Sequence, residues 1–375
     1  MKRNVKMIIK HTLLLFAFVI GSLVSSSQTK NCWTSFQGNQ ALTGNANVTI
    51  KEPYKLLWSF KTTDIIKSSA TLCDGNIFIG SNDGYLYSIS KDGALNWKFN
   101  AETSIEATPL IIDDLVVFGS LEGVLFALNK DTGKEVWRYV TDGQISGSSN
   151  WVLGENNEKY ILTGSYDFFL HCVNAKTGKV IWKYEADNYI NGAPSILNNM
   201  TVFGGCDGFL YVLNPKTGQL KDTIDIGTYI ASSAALKDNK AYFGNYDGIF
   251  YCANIKTKQI VWKQTASSII GSPAVSDKYT IIGSQNKTVY CFDRLSGALA
   301  WKFKTLGKVD SSPVIANDRV VITSGDGRIY ILDIETGKKV WDYEVGSPIF
   351  SSPAVVKDRI IIGAQDGRVY CFGSQ

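Results

Sequence analysis

The sequence is poor in histidine, the side chain most used for acid–base chemistry and zinc binding near neutral pH. It has two histidines, and His11 lies in an N-terminal stretch that has the layout of an export signal. The remaining one, His171, cannot supply a site that needs several histidines. We therefore expect neither a histidine-based catalytic triad nor a multi-histidine metal centre, and we assign no catalytic residue and no metal ligand.

A run of basic residues is also lacking. The chain has 38 lysines and arginines against 34 aspartates and glutamates, and four of the basic residues precede residue 28. The rest of the chain has 34 residues of each sign and is close to neutral. Such a chain has no electrostatic footprint for nucleic acid or for an anionic membrane surface, so we expect neither as a partner.

Paired cysteine motifs are missing as well. The seven cysteines include no adjacent pair and no C-x-x-C, which excludes a haem-attachment motif. Cys32, Cys73 and Cys206 are scattered along the chain, and the odd total leaves at least one free thiol. We therefore expect no disulfide framework.

Residues 1–27 are set apart by their composition. Four basic residues are followed by an apolar run at residues 13–24 and by three serines at residues 25–27. This order is typical of a signal peptide, and the apolar run is short for a membrane-spanning helix. We expect export to the periplasm or the cell surface with no transmembrane span after cleavage, and a retained membrane anchor is the alternative. Cys32 follows Thr29-Lys30-Asn31, so no lipoprotein signal is visible.

What the chain does have is a repeat. Residues 309–341 contain four short strands with period-two alternation, separated by turns that include Asp326-Gly327 and Thr336-Gly337. This pattern is typical of an antiparallel meander. The Asp-Gly pairs indicate type I′ turns, in which both central residues have positive φ. Asp167-Phe168 and Asn286-Lys287 depart from the motif, so we expect strain or a different shape there.

A tryptophan ends almost every copy of the repeat. The intervals are 39, 40, 45, 80, 39 and 40 residues, and the interval of 80 holds two copies with Asp222 at the missing position. The tryptophans are Trp58, Trp97, Trp137, Trp182, Trp262, Trp301 and Trp341. A period near 40 residues with four strands predicts a β-propeller, in which we expect each tryptophan to dock one blade on the next. The fourth blade, which has Asp222, should be the softest part of the wall.

The two ends of the chain complement each other. Residues 55–61 form a fourth strand without the first three, and residues 349–372 form three strands without a fourth. Pairing them protects both sheet edges and closes the ring. We therefore predict an all-β, monomeric, eight-bladed β-propeller over residues 55–375, with four-stranded antiparallel blades and an N-terminal strand that completes the C-terminal blade. Residues 28–54 show no repeat and should lie on the body as an irregular segment, tethered by Trp33 and Phe36.

One position varies inside otherwise uniform repeats. It lies at the start of each inner strand, between an isoleucine or valine and a small residue. Its occupants are Lys67, Glu106, Ser146, Asn191, Ala231, Ile270, Asp310 and Phe350. A side chain that is not needed for packing should face the mouth of the channel, where the eight inner strands converge. The eight residues either line a solvated funnel that binds nothing, or form a polar ring of Lys67, Glu106, Ser146, Asn191 and Asp310, lidded by Phe350, that holds a small polar ligand.

Three further features have structural interpretations. His171 occupies a strand position that other repeats fill with tyrosine or phenylalanine, which favours a packing role. The next position holds a cysteine in four blades, and these thiols should be buried and unpaired: Cys172, Cys252, Cys291 and Cys371. The third unit is lengthened at residues 150–160, where Trp151 either extends a strand or makes an exposed contact.

The repeat closely resembles that of the pyrroloquinoline-quinone (PQQ)-like propellers. The resemblance rests on SSP in the inner strand, GSxDGxLY in the hairpin, TGKxxW in the outer strand and the leading segment WTSFQGNQALTG. It covers residues 33–375 and implies an eight-bladed propeller. The family includes quinone- and calcium-dependent dehydrogenases, and also non-catalytic envelope propellers such as the BamB scaffold of outer-membrane protein assembly.

The resemblance is strongest to the non-catalytic, BamB-like branch, because the units are compact and the chain lacks the adjacent cysteines and haem motif of the catalytic members. It implies a scaffold that binds an envelope or outer-membrane protein and holds no cofactor. Two alternatives stay open. One is a small-ligand or glycan binder at the funnel, and the other is a PQQ- and Ca²⁺-dependent dehydrogenase, in which Glu106, Asn191 and Asp310 would imitate the calcium ligands.

Overall fold

The fold consists of eight separate four-stranded antiparallel sheets. The computed structural model describes residues 31–374, so the expected signal peptide at residues 1–27 lies outside the described residues. Within residues 31–374 the helical elements are two single turns of 3-10 helix, Phe36–Gly38 and Glu155–Asn157. The prediction of an eight-bladed, all-β propeller is confirmed.

The strands follow one another blade by blade. The first strand is β1 (Lys55–Lys61). Blades 1 and 2 contain β2 (Thr71–Cys73), β3 (Asn76–Gly80), β4 (Tyr85–Ser90), β5 (Leu95–Asn100), β6 (Leu110–Ile112), β7 (Leu115–Gly119), β8 (Val124–Asn129) and β9 (Glu135–Val140). Blades 3 and 4 contain β10 (Asn150–Leu153), β11 (Lys159–Gly164), β12 (Phe169–Asn174), β13 (Val180–Glu185), β14 (Ser195–Leu197), β15 (Met200–Gly204), β16 (Phe209–Leu213) and β17 (Leu220–Asp225).

The second half of the ring repeats this arrangement. Blades 5 and 6 contain β18 (Ala235–Lys237), β19 (Lys240–Gly244), β20 (Ile249–Asn254), β21 (Ile260–Thr265), β22 (Ala274–Val275), β23 (Tyr279–Ser284), β24 (Thr288–Asp293) and β25 (Leu299–Lys304). Blades 7 and 8 contain β26 (Val314–Ala316), β27 (Arg319–Thr323), β28 (Arg328–Asp333), β29 (Lys339–Glu344), β30 (Ala354–Val356), β31 (Arg359–Gly363) and β32 (Arg368–Gly373). The first strands of neighbouring blades contact one another, so they surround the axis.

The hydrophobic core lies between the blades. In blade 7 the middle strands β27 and β28 have every central side chain buried, whereas the outer strand β29 is largely exposed. Middle strands need apolar residues on both faces because each blade packs on two neighbours. This requirement explains the continuous apolar runs at residues 320–322 and 329–332.

The ring closes at blade 8 as predicted. There β1 pairs antiparallel with β32, and Ser59 lies opposite Tyr370. The pairing joins strands from the two ends of the described chain, so this seam has no hairpin turn. At this seam Trp341, the tryptophan of blade 7, packs edge-on against Tyr54, with ring centroids 5.6 Å apart.

Elsewhere the blades dock through a tryptophan and a glycine. The Trp97 indole N–H donates to the Lys130 carbonyl at 3.1 Å, and its ring covers Gly133, where any Cβ would clash. The contact between ring and glycine recurs at Trp58–Gly93, Trp137–Gly178, Trp182–Gly218, Trp262–Gly297 and Trp301–Gly337. The glycine of the TGK motif is thus required by the tryptophan of the preceding blade.

Blade 4 replaces this contact with an ion pair. Asp222 stands at the tryptophan position, and Lys258 of blade 5 stands at the glycine position with φ of 64°. The Lys258 ammonium lies 2.7 Å from the Asp222 carboxylate and lowers the pKa of Asp222. The tryptophan missing from blade 4 and the glycine missing from blade 5 are therefore the two partners of a single contact, and both are replaced together.

The hairpin turns differ from the expected type I′. Gly84 has a φ of 85°, but Asp83 before it does not have positive φ. The expectation was wrong because the aspartate is held by its carboxylate, which accepts hydrogen bonds from the Tyr85 N–H and the Tyr87 hydroxyl. Phe168 and Lys287 adopt the same left-handed φ, 75° and 63°, so the two irregular turns keep the shape and carry strain.

The cysteines correct another expectation. Cys32 and Cys73 form a disulfide, although no disulfide framework was expected. The error arose because Trp33 forms a β-bridge with Leu72, which places the two cysteines side by side and leaves no periodic trace in the sequence. The four cysteines of the repeat slot are buried and free, as predicted.

Candidate functional site at the funnel

The channel along the axis is closed at one end by the N-terminal segment, residues 31–46. The sequence predicted an irregular segment lying on the body, and the structure places residues 31–46 against the inner strands. Each inner strand is the edge of its sheet, so its free backbone groups need partners at the axis. Leu42 and Gln37 are almost completely buried there, at 1% and 2% exposure.

The segment reaches all eight blades through hydrogen bonds. In blade 1, Trp33 exchanges backbone bonds with Leu72, and in blade 3 the Asn150 amide donates to the Gln40 carbonyl. The remaining donors, from blades 2, 4, 5, 6, 7 and 8, are the backbone N–H groups of Ile111, Ile196, Leu236, Val275, Ile315 and Lys357. One irregular stretch therefore ties together the whole inner surface.

The other end of the channel is an open funnel of about 250 Å³, with Phe36 of the segment in its lining. All eight variable residues identified from the repeats line it, including Lys67, Glu106, Asp310 and Phe350. They lie four residues before each inner strand rather than at its start, in the segment that joins neighbouring blades. The structure thus brings the predicted ring together.

Below the ring is a belt of serines that sequence reasoning did not recognise. The Ser312 N–H donates to the Ser352 hydroxyl at 2.9 Å, and the Ser352 N–H donates to Ser69 at 2.8 Å across the seam. Similar blade-to-blade bonds come from the N–H groups of Thr108, Ala193, Ser233 and Ser272. The second serine of the SSP motif therefore links blades, and its recurrence was the available signal.

The charged residues of the funnel neutralise one another. The Lys67 ammonium lies 2.7 Å from Glu106, and Asn82 also donates to that carboxylate. The Lys308 ammonium lies 2.7 Å from Asp310 and covers the Phe350 ring. Each carboxylate already has a cationic partner, so neither is poised as a free base.

Opposite these ion pairs the funnel is bordered by polar and sulfur groups. The Asn191 amide donates to the Tyr229 hydroxyl at 2.7 Å and contacts Cys206. Burial raises the pKa of Cys206 to about 11 and the pKa of Tyr229 to about 12. Both groups are therefore neutral at physiological pH, and the thiol is a poor nucleophile.

Five aromatic residues extend from this side over the funnel face of blades 3–5, and we call them the aromatic arc: Tyr166, Phe168, Tyr189, Tyr229 and Tyr246. Tyr189 stacks on Tyr166 at 4.8 Å and contacts Phe168 at 5.2 Å, while Tyr229 lies 5.8 Å from Tyr246. The comparison of repeats did not reveal the arc, because its residues occupy three different repeat positions. Clustering of tyrosine in only three of the units was the signal.

In the described part of the chain, the distances between potential metal ligands decide which of them could share an ion. Among them, one group of three candidate ligands lies close together, Cys32, Cys73 and Asp74, and its two thiols are consumed by the disulfide. Within the same range no helix is long and apolar enough to cross a membrane.

Family comparisons agree with this geometry. Residues 146–375, more than half of the chain, match the family model of the β-propeller of the β-alanine-activating enzyme. The chain belongs to this family of PQQ-like repeat propellers. In this PQQ-like propeller, residues 50–156 also match the model of outer membrane protein assembly factor BamB. No curated protein is significantly similar in sequence.

Solved structures share the fold of this PQQ-like propeller at low sequence identity. BamB from Moraxella catarrhalis is 18% identical with a TM-score of 0.74, over 86% of this chain and 100% of BamB. The computationally designed protein Ika8 is 19% identical with a TM-score of 0.76, over 85% and 100%. Quinohemoprotein alcohol dehydrogenase from Comamonas testosteroni is 12% identical with a TM-score of 0.78, over 92% and 80%.

Proposed function

We propose that this protein is an exported, non-catalytic propeller that binds a protein partner in the cell envelope through its funnel face. The observation that carries the proposal is the internal pairing of the funnel charges, Glu106 with Lys67 and Asp310 with Lys308. The surrounding face exposes the aromatic arc, and tyrosine is enriched at the energetic centres of protein interfaces. The match to an outer membrane protein assembly factor and the signal-peptide layout support a periplasmic or surface location.

A quinone with calcium does not fit the ring. Calcium takes about six to eight oxygen ligands, usually including carboxylates with uncompensated charge. Here Glu106 and Asp310 each hold a lysine ammonium at 2.7 Å, and Asn191 is turned toward Tyr229. We therefore derive no reaction through that cofactor.

The test compares two assays on the chain without residues 1–27. In the first, immobilised protein is incubated with envelope extract, and one or a few outer-membrane or periplasmic proteins should be retained reproducibly. In the second, the protein is incubated with PQQ and Ca²⁺ and then desalted. A retained quinone spectrum together with dye reduction by alcohols or sugars would overturn the proposal in favour of a dehydrogenase.

A small polar ligand at the funnel is the second candidate. One oxygen of Asn191 and one of Asp310 are buried and accept no hydrogen bond from any residue in the described range. A hydroxylated ligand such as a sugar carries the donors that such oxygens lack. Titration calorimetry should then show heat with the parent and none with the Lys67→Ala, Asp310→Ala double variant, and equal heats would exclude the ring as the site.

A further inference from the structure

The funnel face is divided by charge. The segments of blades 3–5 that reach this face, residues 140–146, 164–169, 185–191, 204–209, 225–231 and 244–249, contain seven acidic residues and neither lysine nor arginine. The acidic residues are Asp142, Asp167, Glu185, Asp187, Asp207, Asp225 and Asp247. The equivalent segments of the other blades contain the basic residues of this face: Lys61, Lys67, Lys287, Lys304, Lys308, Arg328 and Arg368. We call the first region the acidic sector.

The acidic sector is exposed and electrostatically unsatisfied. Asp142, Glu185, Asp187, Asp225 and Asp247 are exposed, and none forms an ion pair with another residue in the part of the chain that the structure describes. Neighbouring carboxylates of one sign attract an oppositely charged partner and accelerate its encounter. The segments of the other blades contain nine acidic residues. Four of these have a lysine or arginine partner: Glu106, Asp310, Glu344 and Asp366.

The aromatic arc lies within the same sector. Phe168, Tyr189 and Tyr246 are 38%, 43% and 51% exposed, which is unusual for large rings in a folded protein. Their mutual contacts hold them in place, so binding would cost little side-chain entropy. Guanidinium groups stack on tyrosine faces and bind carboxylates in a bidentate manner, whereas apolar side chains fill the space between rings.

We infer that the acidic sector is the docking surface for the protein partner, and that the docked segment is cationic and carries arginine together with apolar side chains. The inference rests on the proposed function and specifies its surface and the chemistry of its partner. Two independent properties of the same three blades carry it: a net negative charge without internal compensation, and exposed, pre-arranged aromatic rings.

The direct test uses a short labelled peptide rich in arginine and leucine, and a counterpart with glutamate in place of arginine. The parent should bind the arginine peptide and not the glutamate peptide, with affinity that falls as salt is raised. Tyr189→Ala with Tyr246→Ala, and separately Asp187→Lys with Asp225→Lys, should each weaken binding about tenfold or more. Leu306→Ala is the matched control, since Leu306 is 72% exposed on the same face outside the sector.

Equal binding of the two peptides would overturn the inference, as would full affinity in both sector variants. Thermal unfolding of each variant verifies that its fold is intact, and all four substituted side chains are exposed. The envelope-extract assay distinguishes a failure of this inference from a failure of the proposed function. Retention by the parent and by both sector variants would sustain the proposed function and place docking elsewhere, whereas no retention by the parent would remove the proposed function itself.

Discussion

At the scale of the residue, a hairpin aspartate anchors the neighbouring strand in four of the blades. The hydroxyls of Tyr87, Tyr211, Tyr330 and Tyr370 donate to the aspartate four positions earlier, at 2.6–2.7 Å. His171 takes the tyrosine position in blade 3: its Nε2 lies 3.0 Å from Asp167, and its Nδ1 lies 2.9 Å from the Tyr139 hydroxyl. The one histidine in the described chain is therefore part of the wall.

This substitution gives blade 3 a distinct response to acid. Burial would raise the pKa of Asp167, but the hydrogen bond and charge of His171 and two backbone N–H groups outweigh it and lower the pKa to about 2. The unfolded value is about 3.9, so the contribution is present above about pH 4 and is lost as the pH falls through about 2. Between these values the parent should lose about 1–2 kcal/mol more unfolding free energy than Asp167→Asn. Acid titration of denaturant midpoints measures this loss, with Asp92→Asn, in an exposed turn, as control; parallel curves for parent and Asp167→Asn would refute it.

At the scale of the element, the segment at residues 31–46 stabilises the axis. Trp33 is 4% exposed, and its replacement by alanine should cost about 3–5 kcal/mol of unfolding free energy. The change in hydrogen exchange close to the segment is more diagnostic than the loss of global stability. The N–H groups of Ile111, Leu236 and Val275 donate to this segment, so their hydrogen exchange should accelerate first. Trp151→Ala, in the insertion of blade 3, is the control, and the same exchange pattern in both variants would contradict a role specific to the segment.

The outer wall has one weak element, β17. Asp222 and Lys258 replace the tryptophan–glycine contact there, and an exposed ion pair contributes less than a buried indole. Amides of β17 should therefore exchange faster than those of β25, which carries Trp301. The double variant Asp222→Trp, Lys258→Gly should slow that exchange, because it restores the contact and relieves the positive φ of Lys258. Uniform protection of all outer strands would show that the prediction is wrong.

These elements also show how far a sequence can be interpreted. The blades, the seam and the ring around Lys67 and Asp310 were predictable, because each recurs at a fixed period and a repeat can be compared with itself. The N-terminal segment and the Cys32–Cys73 disulfide were not, since contacts made once leave no period. The Asp222–Lys258 exchange lay within reach: the fourth unit lacks its tryptophan and the fifth lacks its TGK glycine. What was missing was the knowledge that these two positions touch.

At the scale of the whole molecule, stability depends on the seam in blade 8. Lys61 in β1 lies opposite Arg368 in β32 across this seam, and Arg328 lies opposite Glu344 at the equivalent place in blade 7. A disulfide between cysteines at the seam pair closes a far longer loop than one at the blade 7 pair. It should raise the unfolding free energy by about 2–3 kcal/mol more than the blade 7 disulfide does. Denaturation with and without reductant compares the two cross-links, and equal stabilisation would mean that the ring does not open at the seam.

The seam also orders events in time. Because β1 is synthesised before the other strands and β32 after them, the first strand has no sheet partner until β32 has left the ribosome. Until then the nascent chain is an open row of blades. The first and last blades lack the neighbour that would bury their outer faces. The ring can therefore close, and its blades can stabilise one another all the way round, only once β32 has paired with β1.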